Sequence, residues 1–239
     1  MNKAKLLIII LLLLLSSCSF VRGQVNNMQK VQEYDLILEA DRQLSECQDF
    51  ETYKSVYQYL IYGFSELGAN MAVDFTVRLP YFEYLDATDE QRDEIMAIAS
   101  TYERVKIGKK APDIQTVTID NKCFCLNDIE DEYTIMLFWS YSCPHCHDLL
   151  KELSAFAKKN KGFTIVTVNV SGESNKVKRL LRKSGLKNYY NICDGEGWNS
   201  PIVEDYAVDM TPSMFLLDKD KIIIGKPFNT EEIKNIAGI

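Results

Sequence analysis

Hydrophobic positions along the chain fall into three regimes. Leu6 to Leu15 is an unbroken apolar run. From about Val25 to Lys106 apolar residues recur at three- and four-residue spacing, the mark of helices that bury one face. Tyr53, Val56, Tyr57, Leu60, Ile61 and Phe64 form one such face, and Gly68 ends that segment. A second helix is expected over Met71 to Tyr84, with Pro80 as a kink or break. A third begins at Thr88, where Gln91 three residues on completes a capping box, and Ile95, Ile98, Ala99, Tyr102 and Val105 continue its apolar face. Tyr81, Phe82 and Tyr84 read as helix-packing residues or, more sharply, as a groove for a partner.

Gly108-Lys109-Lys110-Ala111-Pro112-Asp113 breaks the helical period. Beyond it the period is two. Gln115–Ile119 and Lys122–Leu126 flank Asp120-Asn121 and predict a hairpin. Then follow a strand over Thr134–Ser140, a helix over Cys146–Lys159, a strand over Phe163–Asn169, a helix over Asn175–Ser184 and a short strand over Tyr189–Cys193. Ser200-Pro201 starts a brief helix, with serine as cap and proline in the first turn. Ser213–Asp218 and Lys221–Ile224 pair across Lys219-Asp220, and a last helix starts near Thr230. Strands alternating with helices predict an α/β sheet.

The apolar run at the start is too short to span a bilayer, which needs about 20 residues. With Lys3 and Lys5 before it, it has the form of a signal peptide over residues 1–17. Leu15-Ser16-Ser17-Cys18 resembles the bacterial lipobox, which makes Cys18 the expected lipidated first residue. Export to the cell envelope or periplasm follows, with membrane contact through the lipid anchor. The formal charge of −7 becomes −9 once Lys3 and Lys5 are removed. That acidic balance argues against nucleic acid and anionic lipid surfaces as partners.

Six cysteines remain: Cys47, Cys123, Cys125, Cys143, Cys146 and Cys193. About 220 residues can bury an adequate core without a disulfide scaffold, so a redox role for one pair is expected. Cys143-Pro144-His145-Cys146 sits between the apolar strand and the amphipathic helix. This places Cys143 at a helix N-terminus, where unpaired backbone N–H groups and the helix dipole favour a thiolate. A thiolate with a second thiol two residues on can attack a disulfide and resolve the mixed intermediate without a cofactor. His145 is the candidate tuner, through a hydrogen bond or a positive charge at the Cys143 sulfur.

Other readings of these residues are weaker. Cys143-Pro-His-Cys146-His147 also fits the c-type haem attachment pattern, but Trp139 and the later Thr211-Pro212 already account for it in a sheet domain. No second ligand pair has zinc spacing, so no metal is expected. Cys123 and Cys125 share one face of a strand. They are core-packing side chains, one half of a bridge to Cys193, or an auxiliary redox pair. Cys47 has no evident partner.

Three segments carry a family resemblance: Ile107-Gly108-Lys109-Lys110-Ala111-Pro112-Asp113, Phe138-Trp139-Ser140-Tyr141-Ser142-Cys143-Pro144-His145-Cys146 and Met210-Thr211-Pro212-Ser213-Met214-Phe215-Leu216-Leu217-Asp218. In this order they resemble a thioredoxin-fold domain of the TlpA/ResA-like type over residues 107–239. The resemblance implies a central mixed sheet flanked by helices, preceded here by an all-helical N-terminal module over residues 18–106. It implies a cis bond before Pro212, lying against the two cysteines, and a substrate chain docked on Thr211, Pro212, Trp139 and Pro144. Thioredoxins carry a buried acid six residues before the first cysteine, and this position is Leu137. TlpA/ResA-like reductases often carry a glutamate three residues after the second, and this position is Leu149. Either His147 or Asp148 is left as a relay. The Pro-His pair resembles that of the oxidant DsbA, whereas TlpA/ResA-like domains are generally reductants. The expected potential lies between about −120 and −270 mV.

The resulting expectation is an exported thiol–disulfide oxidoreductase, with Cys143 attacking and Cys146 resolving. Its partners are envelope protein thiols and disulfides and an electron donor or acceptor. No peroxiredoxin signature is present. The alternative is an envelope adaptor that binds through the helical module and keeps a redox-silent thioredoxin scaffold.

Overall fold

The computed structural model describes residues 33–78, 86–172 and 174–239. The expected signal segment, Cys18, Pro80, Tyr81, Phe82 and Tyr84 lie outside the described residues. The chain divides into two compact units, Met1–Glu103 and Arg104–Ile239.

The first unit is helical. Helix α1 covers residues 33–45 and buries Ala40 and Leu44, four apart on one face. Helix α2 (Phe50–Glu66) starts where the Asp49 carboxylate accepts the Thr52 N–H at 2.8 Å. It buries Tyr53, Tyr57, Leu60, Ile61 and Phe64, while Val56 at the rim of the same face is only half-buried. Gly68 follows with φ +66°, a left-handed conformation that favours glycine where a helix stops. Helix α3 covers Asn70–Arg78. Helix α4 (Asp89–Arg104) opens on a reciprocal capping box. The Thr88 N–H donates to Gln91 Oε1 at 2.9 Å, and the Gln91 N–H donates to Thr88 Oγ1 at 3.2 Å. Lys54 on α2 pairs with Glu94 on α4.

The second unit is built on two sheets. Strands β1 (Gln115–Val117) and β2 (Cys123–Cys125) form an antiparallel hairpin. The main sheet contains β3 (Tyr133–Trp139), β4 (Phe163–Asn169), β5 (Tyr190–Ile192), β6 (Ser213–Asp218) and β7 (Ile223–Gly225), in the order β5-β4-β3-β6-β7. Strands β3, β4 and β5 are mutually parallel, and β6 is antiparallel to both β3 and β7. The helices are α5 (Pro144–Lys159), α6 (Ser174–Ser184), α7 (Pro201–Asp205) and α8 (Thr230–Ala237).

Strand β3 is apolar from Ile135 to Trp139 because both of its faces are covered. Ile135, Leu137 and Trp139 pack with Leu149, Leu150 and Leu153 of α5, Val177 and Leu181 of α6 and Ile233 of α8. Met136 and Phe138 face the other way, into a core with Phe124, Val203, Tyr206 and Phe215. The hairpin strands are shorter than the sequence predicts. The Ile119 N–H leaves the hairpin to donate to the Asn191 carbonyl at 2.7 Å, and Leu126 enters a single 3₁₀ turn. Strand β7 starts at Ile223 rather than Lys221, because Lys221 sits at φ +63° in the turn. The buried Lys221 ammonium donates to the carbonyls of Ile129 at 2.7 Å and Lys219 at 3.0 Å.

Candidate active site

The two cysteines of the Cys-x-x-Cys segment occupy different environments. Proline is favoured in the first turn of a helix, where its missing N–H costs nothing and its φ is already helical. Pro144 therefore starts α5, and Cys143 becomes its extended N-cap, with φ −91° and ψ 108°. The Cys143 sulfur accepts the Cys146 backbone N–H at 3.3 Å. Its thiol donates to the Thr211 carbonyl at 3.5 Å. Cys143 is half-buried, whereas Cys146, inside the first turn, is 0% exposed. Burial, and then the hydrogen bond with Cys143, push the Cys146 thiol up to about 12. One sulfur is within reach of a partner and the other is held protonated beneath it.

Thr211 and Pro212 lie just before β6 and are joined by a cis peptide bond. The antiparallel register pairs Phe138 with Ser213, which sets Thr211 opposite the end of β3. The structure thus brings together Cys143, Cys146 and Thr211 from two distant stretches of chain.

The loop between β3 and α5 is held from the neighbouring strand. Asn169, buried at the end of β4, donates from its amide to the Trp139 carbonyl at 3.2 Å. Its Oδ1 accepts the Ser171 N–H at 3.0 Å and the Ser171 hydroxyl at 2.8 Å. Ser171 Oγ in turn accepts the Tyr141 N–H at 2.9 Å. Neither Asn169 nor Ser171 is among the site residues expected from the sequence. The one available signal is a polar residue closing the otherwise β-type run Phe163–Asn169.

Residues 131–223 match a thioredoxin-like family model. The thiol-disulfide oxidoreductase ResA of Bacillus anthracis is 25% identical over 138 residues, covering 57% of this chain and 78% of that protein. ResA of Bacillus cereus (strain ATCC 10987 / NRS 248) is 27% identical over 127 residues, covering 52% of this chain and 71% of that protein. The crystal structure of a domain of a possible thiol-disulfide isomerase from Cytophaga hutchinsonii is 26% identical. It superposes with a TM-score of 0.50 over 55% of this chain and 90% of that chain. The second unit is a TlpA/ResA-like thioredoxin-fold domain. It is a thiol–disulfide oxidoreductase.

Within this ResA-like domain the expected site residues separate into three groups. Cys143, Cys146 and Thr211 converge as described, with Pro212 joined to Thr211, and Pro144 lies exposed beside them. Trp139, expected to touch substrate, does not reach the surface: it is 0% exposed. Strand alternation explains the correction. Trp139 shares its face with Ile135 and Leu137, and α5 covers that face. His145 is exposed and makes no hydrogen bond to the Cys143 sulfur, which the Cys146 N–H reaches instead.

The ResA-like domain carries no buried acid at either expected position, since Leu137 and Leu149 are both apolar and buried. His147 places Nε2 2.8 Å from the Tyr141 carbonyl. Asp148 is exposed and turned to Lys151 at 2.9 Å, a contact that lowers its pKa.

None of the remaining described cysteines is in a disulfide. Cys123 and Cys125 are not core residues. Phe124 is the inward side chain of β2, so its neighbours point outward, Cys123 to solvent and Cys125 to the Asp113 carboxylate at 3.9 Å. Cys193 does not bridge to either. Its thiol lies 3.9 Å from Asn169 Oδ1, and burial pushes its pKa up. Cys47 donates to the Gln43 carbonyl at 3.2 Å. Among the described residues no group of three or more His, Cys, Asp or Glu side chains could hold a metal ion.

Proposed function

We propose that this oxidoreductase is an exported, Cys18-lipidated protein that exchanges disulfides with proteins of the cell envelope through Cys143 and Cys146. The observation that supports the role assignment is the inequality of the two sulfurs. Cys143 is half-buried and reachable, and its sulfur accepts the Cys146 backbone N–H. Cys146 is wholly buried and its thiol is pushed up to about 12.

In the reducing direction the Cys143 thiolate attacks one sulfur of a substrate disulfide. A Cys143–substrate disulfide forms and the other substrate sulfur leaves as a thiolate, taking a proton. Cys146 then loses its proton and attacks the Cys143 sulfur. The Cys143–Cys146 disulfide forms, the second substrate thiol leaves, and two electrons have passed to the substrate. Part of what holds the Cys146 proton is the interaction with Cys143. That part is lost once the Cys143 sulfur is bonded to substrate, while the larger part, burial, remains. The Thr211 carbonyl, 3.5 Å from the Cys143 sulfur, lies where an extended substrate backbone would be held. Oxidation of a substrate dithiol runs the same steps in reverse.

Insulin reduction with purified protein tests the activity, which should vanish in Cys143→Ser. Retained activity would remove Cys143 from the mechanism. Mass spectrometry of the envelope-extracted protein tests the anchor. An acylated N-terminal Cys18 is expected, and an unlipidated mass starting downstream of it would refute the anchor.

A further inference from the structure

On the β5 side of the main sheet, the second unit holds a cavity of about 310 Å³, bordered by Asn191 of β5. Lys122, Lys178, Arg182 and Lys187 line it, together with Ile119 and Leu181. We propose that this cavity is an anion site that takes a phosphate-bearing small molecule or headgroup.

Three observations support the assignment. The first is convergence. Lys122 comes from the β1–β2 hairpin, Lys178 and Arg182 lie one turn apart on the same face of α6, and Lys187 lies in the segment before β5. A helix C-terminus attracts cations through its dipole, which accounts for Arg182 in the last turn of α6. It does not account for cations from two other elements turned to the same space.

The second is lack of compensation. The chain has 34 acidic residues against 27 basic ones. Among the described residues lining the cavity one is acidic, Asp120, and it pairs with Lys178 at 3.4 Å. Among the described residues, the side chains of Lys122, Arg182 and Lys187 have no carboxylate partner. Like charges held around one cavity repel one another, and a bound anion relieves that repulsion.

The third is size and donor type. The volume is at the lower end of the range for small-molecule sites, about 300–1,000 Å³. A guanidinium offers the forked geometry that matches phosphate oxygens, and ammonium groups add point charges that any orientation can use.

The cations stand apart from the redox site. Lys187 precedes β5 and Cys143 follows β3, and these strands are mutually parallel with β4 between them. Ligand binding and thiol chemistry are therefore separable by mutation.

The test titrates the full chain with inorganic phosphate by calorimetry, and separately with vesicles of phosphatidylcholine with and without phosphatidylglycerol. The same titrations are run on Arg182→Gln/Lys187→Gln and, as a second variant from another element, on Lys122→Gln. Insulin reduction should be unchanged in all of them. Saturable phosphate binding that weakens about tenfold or more in the double variant supports the site with a free anion as ligand; tenfold corresponds to about 1.4 kcal/mol. Binding only to the phosphatidylglycerol vesicles, lost in both variants, supports the site with a lipid headgroup as ligand. No binding to either probe, or binding that both variants retain, overturns the proposal.

Discussion

The thiol of Cys143 and the backbone carbonyl of Thr211 meet at 3.5 Å across 68 positions of sequence. The contact depends on the sheet register, because pairing Phe138 with Ser213 brings the start of β6 to the end of β3. The attacking sulfur is thereby held between two backbones, with an N–H of its own helix on one side and a carbonyl of the neighbouring strand's approach on the other.

The first prediction follows from the unequal burial of the two sulfurs. Cys146→Ser should accumulate mixed disulfides through Cys143, because the attack proceeds and the resolving step is gone. Cys143→Ser should accumulate few, since the remaining thiol is wholly buried and pushed up to about 12. Non-reducing electrophoresis with mass spectrometry of the adducts measures both. Equal trapping by the two variants would reverse or remove the role assignment.

His145 gives a second. The sequence places it as the tuner of Cys143, but the structure gives it no hydrogen bond to that sulfur, and it faces solvent. An exposed charge interacts weakly through water. His145→Ala should therefore shift the reduction potential by less than about 30 mV, which for a two-electron couple is about 1.4 kcal/mol. Equilibration against glutathione reads the potential. A shift of about 60 mV or more would restore His145 as a tuner.

Alkaline pH should destabilise the reduced protein. An unfolded cysteine titrates near 8.5, and folding pushes Cys146 up to about 12. The fold favours the protonated thiol, so this contribution is complete below about pH 8.5 and declines as pH rises toward 12. The unfolded chain then releases a proton that the folded chain keeps. The limiting slope for one proton is about 1.4 kcal/mol per pH unit. Buried Tyr53, Tyr57 and Tyr206 are also pushed up and act in the same direction. The informative quantity is therefore the difference between wild type and Cys146→Ala, both reduced. Urea unfolding at about pH 8 and about pH 10.5 measures it. A stability gap that stays constant between those conditions would show that Cys146 titrates normally.

Asn169 supplies the fourth. Replacing it with alanine removes the hydrogen bonds to the Trp139 carbonyl and to Ser171 at a buried position. A loss of about 1–3 kcal/mol in stability is expected, because buried partners are left unpaired. Insulin reduction should slow as well, since the Tyr141 N–H is then held by a Ser171 that has lost its own support. Ser171→Ala should cost less, about 1 kcal/mol. An Asn169→Ala protein as stable and as active as wild type would mean that the loop is fixed by α5 alone.

Legibility in the sequence differed from element to element. The run Thr134–Trp139, the cysteines and the amphipathic stretch from Asp148 are all contiguous, so strand, cap and helix could be read directly. The Thr88–Gln91 box was legible for the same reason. Trp139 was not, because a strand buried on both faces gives no sign of which side each residue takes, and only the placement of α5 decides it. Cys123 and Cys125 show the converse. Alternation placed them on one face, but whether that face was inner or outer depended on Phe124 finding the core. Asn169, Ser171 and the four cations of the cavity are joined only by folding, so no local pattern marks them.

Strand β3 is the middle of five, and every residue from Thr134 to Trp139 is buried. In amide exchange against deuterium its N–H groups should be among the last to open, together with those of its partners β4 and β6. Cys143 lies four residues past the end of that strand, at a half-buried helix cap. Electrons therefore enter and leave at the hem of the most closed part of the molecule, and the protein can change oxidation state through many cycles without its frame having to open.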